Sequence, residues 1–76
     1  MITPTQSKMA RAALDWSIRD LARQAAVGVS TVTRFENGQG EPIPATVQAI
    51  KLALEAEGIR FTEHGVEMPA LGGNDE

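Results

Sequence analysis

The side chains that could move a proton or hold a metal gather toward the C-terminal end, where His64 stands among Glu55, Glu57, Glu63 and Glu67. They do not form a constellation. A metal site needs several ligands, and the only histidine adjoins Gly65, which marks it as a turn residue. A catalytic carboxylate pair needs a pocket, and a chain of 76 residues is too small to spare one. The glycines follow no strand at a phosphate-binding spacing, and there is no cysteine. Catalysis is not indicated, and no metal or cofactor is implied. What the sequence does concentrate is hydrogen-bonding and cationic groups, in the stretch SIRDLARQAAVGVSTVTRFENG: Ser17, Arg19, Arg23, Ser30, Thr31, Thr33, Arg34 and Asn37. Groups of this kind recognise a partner rather than transform it.

Two short helices must position them. Ser17 is a good N-cap, with Asp20 three residues on as a capping-box acid. Ile18, Leu21, Ala22 and Ala25 then share one helical face. Ala26-Val27-Gly28 breaks the run at a tight turn, Val32 and Phe35 continue the stripe on the next helix, and Asn37-Gly38 suits its end. The second of these helices turns Val29, Ser30, Thr31, Thr33 and Arg34 away from its apolar stripe. Two helices too short to stand alone, joined by three residues, make a helix-turn-helix.

The flanks supply the rest of a small core. Thr3, Pro4 and Gln6 start the first helix with a cap, a favoured first residue and a capping box. Met9, Ala10, Ala13 and Leu14 give it a narrow apolar face, and Asp15 can end it in a left-handed conformation. Trp16 is expected to plug the seam between the first two helices. After the turn-rich Gln39–Pro42 segment, Pro44 opens a fourth helix to about Glu57, with Val47, Ile50 and Leu54 inward and Leu52 and Ala53 widening the face. Gly58 ends it, and Ile59 makes the accompanying apolar contact. Alternation at Ile59/Phe61 and Val66/Met68 around His64-Gly65 predicts a hairpin with a two-residue turn. An isolated hairpin is marginal, so it must pack on the fourth helix or pair with another chain. The expected organisation is a helical domain over residues 1–58, a hairpin over 59–69 and a disordered acidic tail over 70–76.

Bulk properties set limits. The hydrophobic fraction is 42%, much of it alanine, which favours close-packed helices, and a core this small yields stability of about 3–5 kcal/mol. No stretch is apolar enough to span a bilayer. The absence of cysteine and of a basic, apolar leader favours a reducing, cytoplasmic setting. The net charge of −3 runs against the basic excess usual for nucleic-acid binders.

From Lys8 to about Phe61 the chain resembles the Cro and phage-repressor type of helix-turn-helix, also called the xenobiotic-response-element family. The matching run is LDWSIRDLARQAAVGVSTVTRFENGQGEP, and VTRFENG is similar to the family's I-S-R-I-E-N-G. The resemblance implies an all-α, compact bundle of four or five helices whose third helix enters the major groove. It implies that Arg11 and Glu36 pair as a buried structural salt bridge. It also implies that Ser17 holds a phosphate at the start of the second helix, and that Val29, Ser30, Thr33 and Arg34 face base edges or flanking phosphates. Arg34 could bond guanine, Ser30 and Thr33 either base type, and Val29 a thymine methyl; Asn37 and Gly38 would bring backbone N–H groups near a phosphate.

Departures from the family pattern have consequences. Ile18 replaces the glutamine of the S-Q-E-E-L-A signature, Ala26 replaces the usual turn glycine, and Gly28 stands where serine often caps the third helix. The following loop offers Gln39, Gly40 and Glu41 in place of Lys and Arg, which implies fewer phosphate contacts and a shallower salt dependence. The basic rim is then Lys8, Arg19, Arg23 and Arg34. The expected function is a bacterial or phage transcriptional regulator on the nucleoid, acting on double-stranded DNA as a homodimer joined by the hairpin. The alternative is an antitoxin-like or adaptor module that binds protein with the same bundle.

Overall fold

The computed structural model describes residues 1–68. Four helices follow in order, α1 (Pro4–Leu14), α2 (Ile18–Ala25), α3 (Val29–Glu36) and α4 (Pro44–Glu55), and then the strands β1 (Arg60–Phe61) and β2 (Val66–Glu67). The strands are antiparallel, with Arg60 opposite Glu67 and Phe61 opposite Val66. The bundle is the expected helical one with its short hairpin. The acidic tail expected over 70–76, and the last hairpin residue assigned, Pro69, lie outside the described residues.

Local chemistry sets the boundaries. The Thr3 hydroxyl accepts from the Gln6 N–H at 3.1 Å, and the Gln6 side chain accepts from the Thr3 N–H at 2.9 Å. A second reciprocal box joins Ser17 and Asp20, at 2.9 and 3.0 Å. Asp15 ends α1 in the left-handed region, at φ 59° and ψ 39°. Helix α4 stops at Glu55, about two residues before the expected Glu57, and the Ile59 N–H donates back to the Leu54 carbonyl at 3.3 Å.

The core consists of Ile2, Ala10, Leu21, Ala22, Val32, Phe35, Val47, Ile50, Leu54 and Ile59, with Trp16 half-buried against it beside Leu14 and Ile18. α4 lies across α2 and α1 and closes this core. Two positions expected on the apolar faces of α1 and α4 are exposed instead. Leu52 is 53% exposed, because α4 presents Val47, Ile50 and Leu54 inward and position 52 then lies on the opposite side of a 3.6-residue turn. Ala13 is exposed as well. Polar groups take the space on α1 instead, with Gln6 and Ser7 both buried.

Gln6 explains how so short a hairpin holds. Its Nε2 donates to the carbonyls of Thr62 and Gly65, at 2.8 and 3.1 Å. Between the strands the Thr62 N–H donates to the Gly65 carbonyl, and the Gly65 N–H to Thr62 Oγ1, so the two central turn residues are Glu63 and His64 rather than the expected His64 and Gly65. Hydrogen bonds from α1 thus tie down the hairpin, and Phe61 and Val66 pack on the core that α4 helps to form. Gln6→Ala removes both donations and half of the α1 capping box. It is expected to cost about 2 kcal/mol in total, lowering Tm by roughly 10 °C. A circular-dichroism melt superimposable on the wild type would show that the clip contributes nothing.

Candidate nucleic-acid interface

A polar lock fixes the far end of α3. Arg11 Nη2 lies 2.6 Å from Glu36 Oε1, and Arg11 Nε donates to Oε2 at 2.9 Å and to Oε1 at 3.1 Å. The Ser7 hydroxyl donates to Glu36 Oε2 at 2.7 Å, and Arg11 Nη1 donates to the Trp16 carbonyl at 3.0 Å. Glu36 is 3% exposed, so its carboxylate has exchanged water for these partners. Its hydrogen bonds raise the Arg11 pKa above the ordinary value. One guanidinium thus joins the end of α3, the body of α1 and the linker into α2. Ser7 was not foreseen as a member. Its place one turn before Arg11, on the same face of α1, was the available signal.

The other end of α3 is set by the turn. Ala26 adopts φ 58° and ψ 43°, and the Val27 N–H returns to the Ala22 carbonyl at 3.0 Å. The left-handed residue of the turn is therefore an alanine, at a cost of about 1–2 kcal/mol relative to glycine. Gly28 sits at an ordinary φ of −72° and caps α3 without a side-chain hydrogen bond. Val32 and Phe35 anchor the helix in the core.

On the outer surface, Ser17 and Arg19 are exposed at the start of α2. The Ser17 hydroxyl and N–H both serve the capping box, which leaves the Ile18 and Arg19 N–H groups for an outside acceptor. Asp20 already brings negative charge to this helix end. Its carboxylate pKa is lowered, first by the backbone hydrogen bond from Ser17 and then by the Ser17 hydroxyl and by Arg23. Arg23 is held by Asp20 at 2.7 Å, so of the two α2 arginines only Arg19 lacks an acidic partner among the described residues.

On α3, Val29 is 42% exposed, Ser30 and Arg34 are exposed, and Thr31 and Thr33 are half-buried. The Thr33 hydroxyl donates back to the Val29 carbonyl at 3.0 Å, which leaves it an acceptor toward any partner. Thr31 borders a shallow cleft with Arg34, Phe35 and Glu41, of about 150 Å³, below the range of small-molecule sites. The expectation for Asn37 and Gly38 requires correction. Their N–H groups already donate inside the helix end, Asn37 to the Thr33 carbonyl and Gly38 to the Phe35 carbonyl, each at 3.0 Å. Asn37 retains an exposed side-chain amide; Gly38 retains no free donor.

A family model described as helix-turn-helix matches residues 8–56, which include α2, the turn and α3. The chain belongs to the Cro/C1-type helix-turn-helix family. This is a family of DNA-binding regulators, generally without enzymatic activity. No curated protein is similar enough to the chain to count as a match. Within this helix-turn-helix protein, α3 occupies the place of the recognition helix, and the hairpin lies beyond the matched span. No helix of the described residues is long and apolar enough to cross a membrane.

Proposed function

We propose that this protein is a sequence-specific transcriptional regulator that lays α3 in the major groove of duplex DNA and acts as a homodimer on a palindromic operator. The observation that carries this reading is the exposed pair Val29 and Ser30 at the N-terminal end of α3, on a helix fixed at one end by Arg11–Glu36 and along its length by Val32 and Phe35. In helix-turn-helix docking the N-terminal residues of the recognition helix meet base edges. Val29 offers an apolar surface for a thymine methyl and Ser30 a hydroxyl for either base type, with Arg19 and the free α2 N–H groups near the phosphates.

One α3 reads few base pairs, so the proposal includes two copies with recognition helices about 34 Å apart. We assign the contact to the hairpin, through its outer edge and Met68, which is 39% exposed; Ile59, Phe61 and Val66 already pack within their own chain. The rival reading, a protein-binding module, draws support from the net charge of −3 and from the Gln39-Gly40-Glu41 loop. Fluorescence anisotropy with duplexes selected from a random pool decides between them. The expected result is two chains per duplex and binding at least tenfold tighter than to random duplex, since specific and non-specific affinities commonly differ by about 10³ or more. Equal binding to both duplexes would remove the sequence-specific reading, and Met68→Glu should reduce the stoichiometry to one.

A further inference from the structure

We propose that Arg34, seated over Gly40, is a phosphate contact that stands in for the missing basic loop, and that Gly40 positions it. This rests on the DNA-binding reading and assigns a role within it. Arg34 is the sixth of eight residues in α3, at the end opposite the Val29–Ser30 pair. Its guanidinium turns back onto the following loop: a Cβ at Gly40 would stand 3.3 Å from Arg34 Nη2, tighter than ordinary contact. The loop is drawn under the side chain by the Gln39 N–H, which donates to the Arg34 carbonyl at 2.9 Å. Gly40 takes a φ of +68°, a conformation that both permits this approach and favours a residue without a Cβ. Arg34 has no acidic partner within salt-bridge distance among the described residues. The loop from Gln39 to Ile43 holds no basic residue of its own. The cation of this surface therefore comes from the helix, with Nη2 beside Gly40. A guanidinium so placed meets the sugar-phosphate edge, while Val29 and Ser30 at the other end of the helix meet the bases.

The test uses the full chain with two fluorescent probes, a random-sequence duplex and the duplex selected from a random pool. Arg34→Ala should weaken both by the same factor, about tenfold, and should reduce the slope of log affinity against log salt by about 0.9, the value for one phosphate contact. Gly40→Ala should weaken both about two- to threefold when Arg34 is present and have no effect on top of Arg34→Ala. Strain is controlled by Gly38→Ala, at a matching φ of +71° with nothing within 4 Å of its Cβ position; its melting temperature should fall as far as that of Gly40→Ala. A loss confined to the selected duplex, or an unchanged salt slope, would overturn the phosphate assignment and leave the DNA reading standing. Additive effects of Gly40→Ala and Arg34→Ala would overturn the role of Gly40. Absence of binding to either duplex by the wild type at low salt would overturn the assignment and the DNA reading together.

Discussion

Arg11→Ala is expected to leave most of the protein unfolded at 25 °C. Among the described residues the substitution removes the only cation that Glu36 meets and leaves its carboxylate, 3% exposed, with the Ser7 hydroxyl as its remaining side-chain partner. Breaking a buried pair from one side costs about 3–5 kcal/mol, because the survivor is neither solvated nor neutralised. A single-core chain of this length has about the same amount of stability in total. Tm should therefore fall by roughly 15–30 °C, read by circular dichroism or by the fluorescence of Trp16. Folding raises the Arg11 pKa above its ordinary value, first through the hydrogen bonds to Glu36, so this contribution is fully present below that ordinary value and is lost only as pH rises through the folded one. The deficit of the variant should accordingly be the same across the neutral range. Replacing both partners by methionine should recover much of the loss, since a buried pair is often no better than apolar residues of similar volume. A melt of Arg11→Ala that matches the wild type would contradict the lock.

The combined substitution Val29→Ala and Ser30→Ala is expected to do the reverse, sparing the fold and removing discrimination. Both residues are outside the core; the first is 42% exposed and the second exposed. Their loss should shift Tm by no more than about 4–8 °C together, as surface changes usually stay within ±0.5 kcal/mol each. Each base pair no longer read costs about 1–3 kcal/mol, so affinity for a selected duplex should fall roughly 10- to 100-fold or more. Binding to a random duplex should stay as it was. An equal loss on both duplexes would mean that this end of α3 touches the backbone and that base readout lies elsewhere. The contrast with Arg34→Ala, expected to affect both duplexes alike, separates the two ends of one short helix.

Where the deciding interaction spans three or four residues, the sequence carries it in full. The boxes Thr3/Gln6 and Ser17/Asp20, the left-handed Asp15 and the burial of Ile59 after Gly58 all depend on neighbours in the chain, and all stand where capping chemistry puts them. The helix-turn-helix, residues 8–56, is legible for the same reason, because its signature is a fixed spacing of caps and apolar residues. Partners distant in sequence were harder to see. Gln6 reads as a capping residue, and its second use, donating to carbonyls at Thr62 and Gly65, depends on where the hairpin arrives. Ser7 reads as a surface serine until Glu36 is placed beside it. On α4, Leu52 widens the apolar face only if adjacency is counted; its position nearly opposite Val47, Ile50 and Leu54 on a 3.6-residue turn already leaves it in water. At the candidate interface, residue types indicated which side chains could meet DNA. They did not reveal which donors the fold had already engaged, namely the N–H groups of Asn37 and Gly38 and the hydroxyl of Thr33.

Recovery of bound duplexes from a random pool, incubated with the intact chain at low salt and sequenced, addresses recognition by α3 most directly. The expected outcome is a palindromic motif whose half-sites repeat about 10–10.5 base pairs apart, the spacing that two recognition helices on one face of the duplex require. A recovered pool with no enriched motif would contradict sequence-specific recognition by this helix.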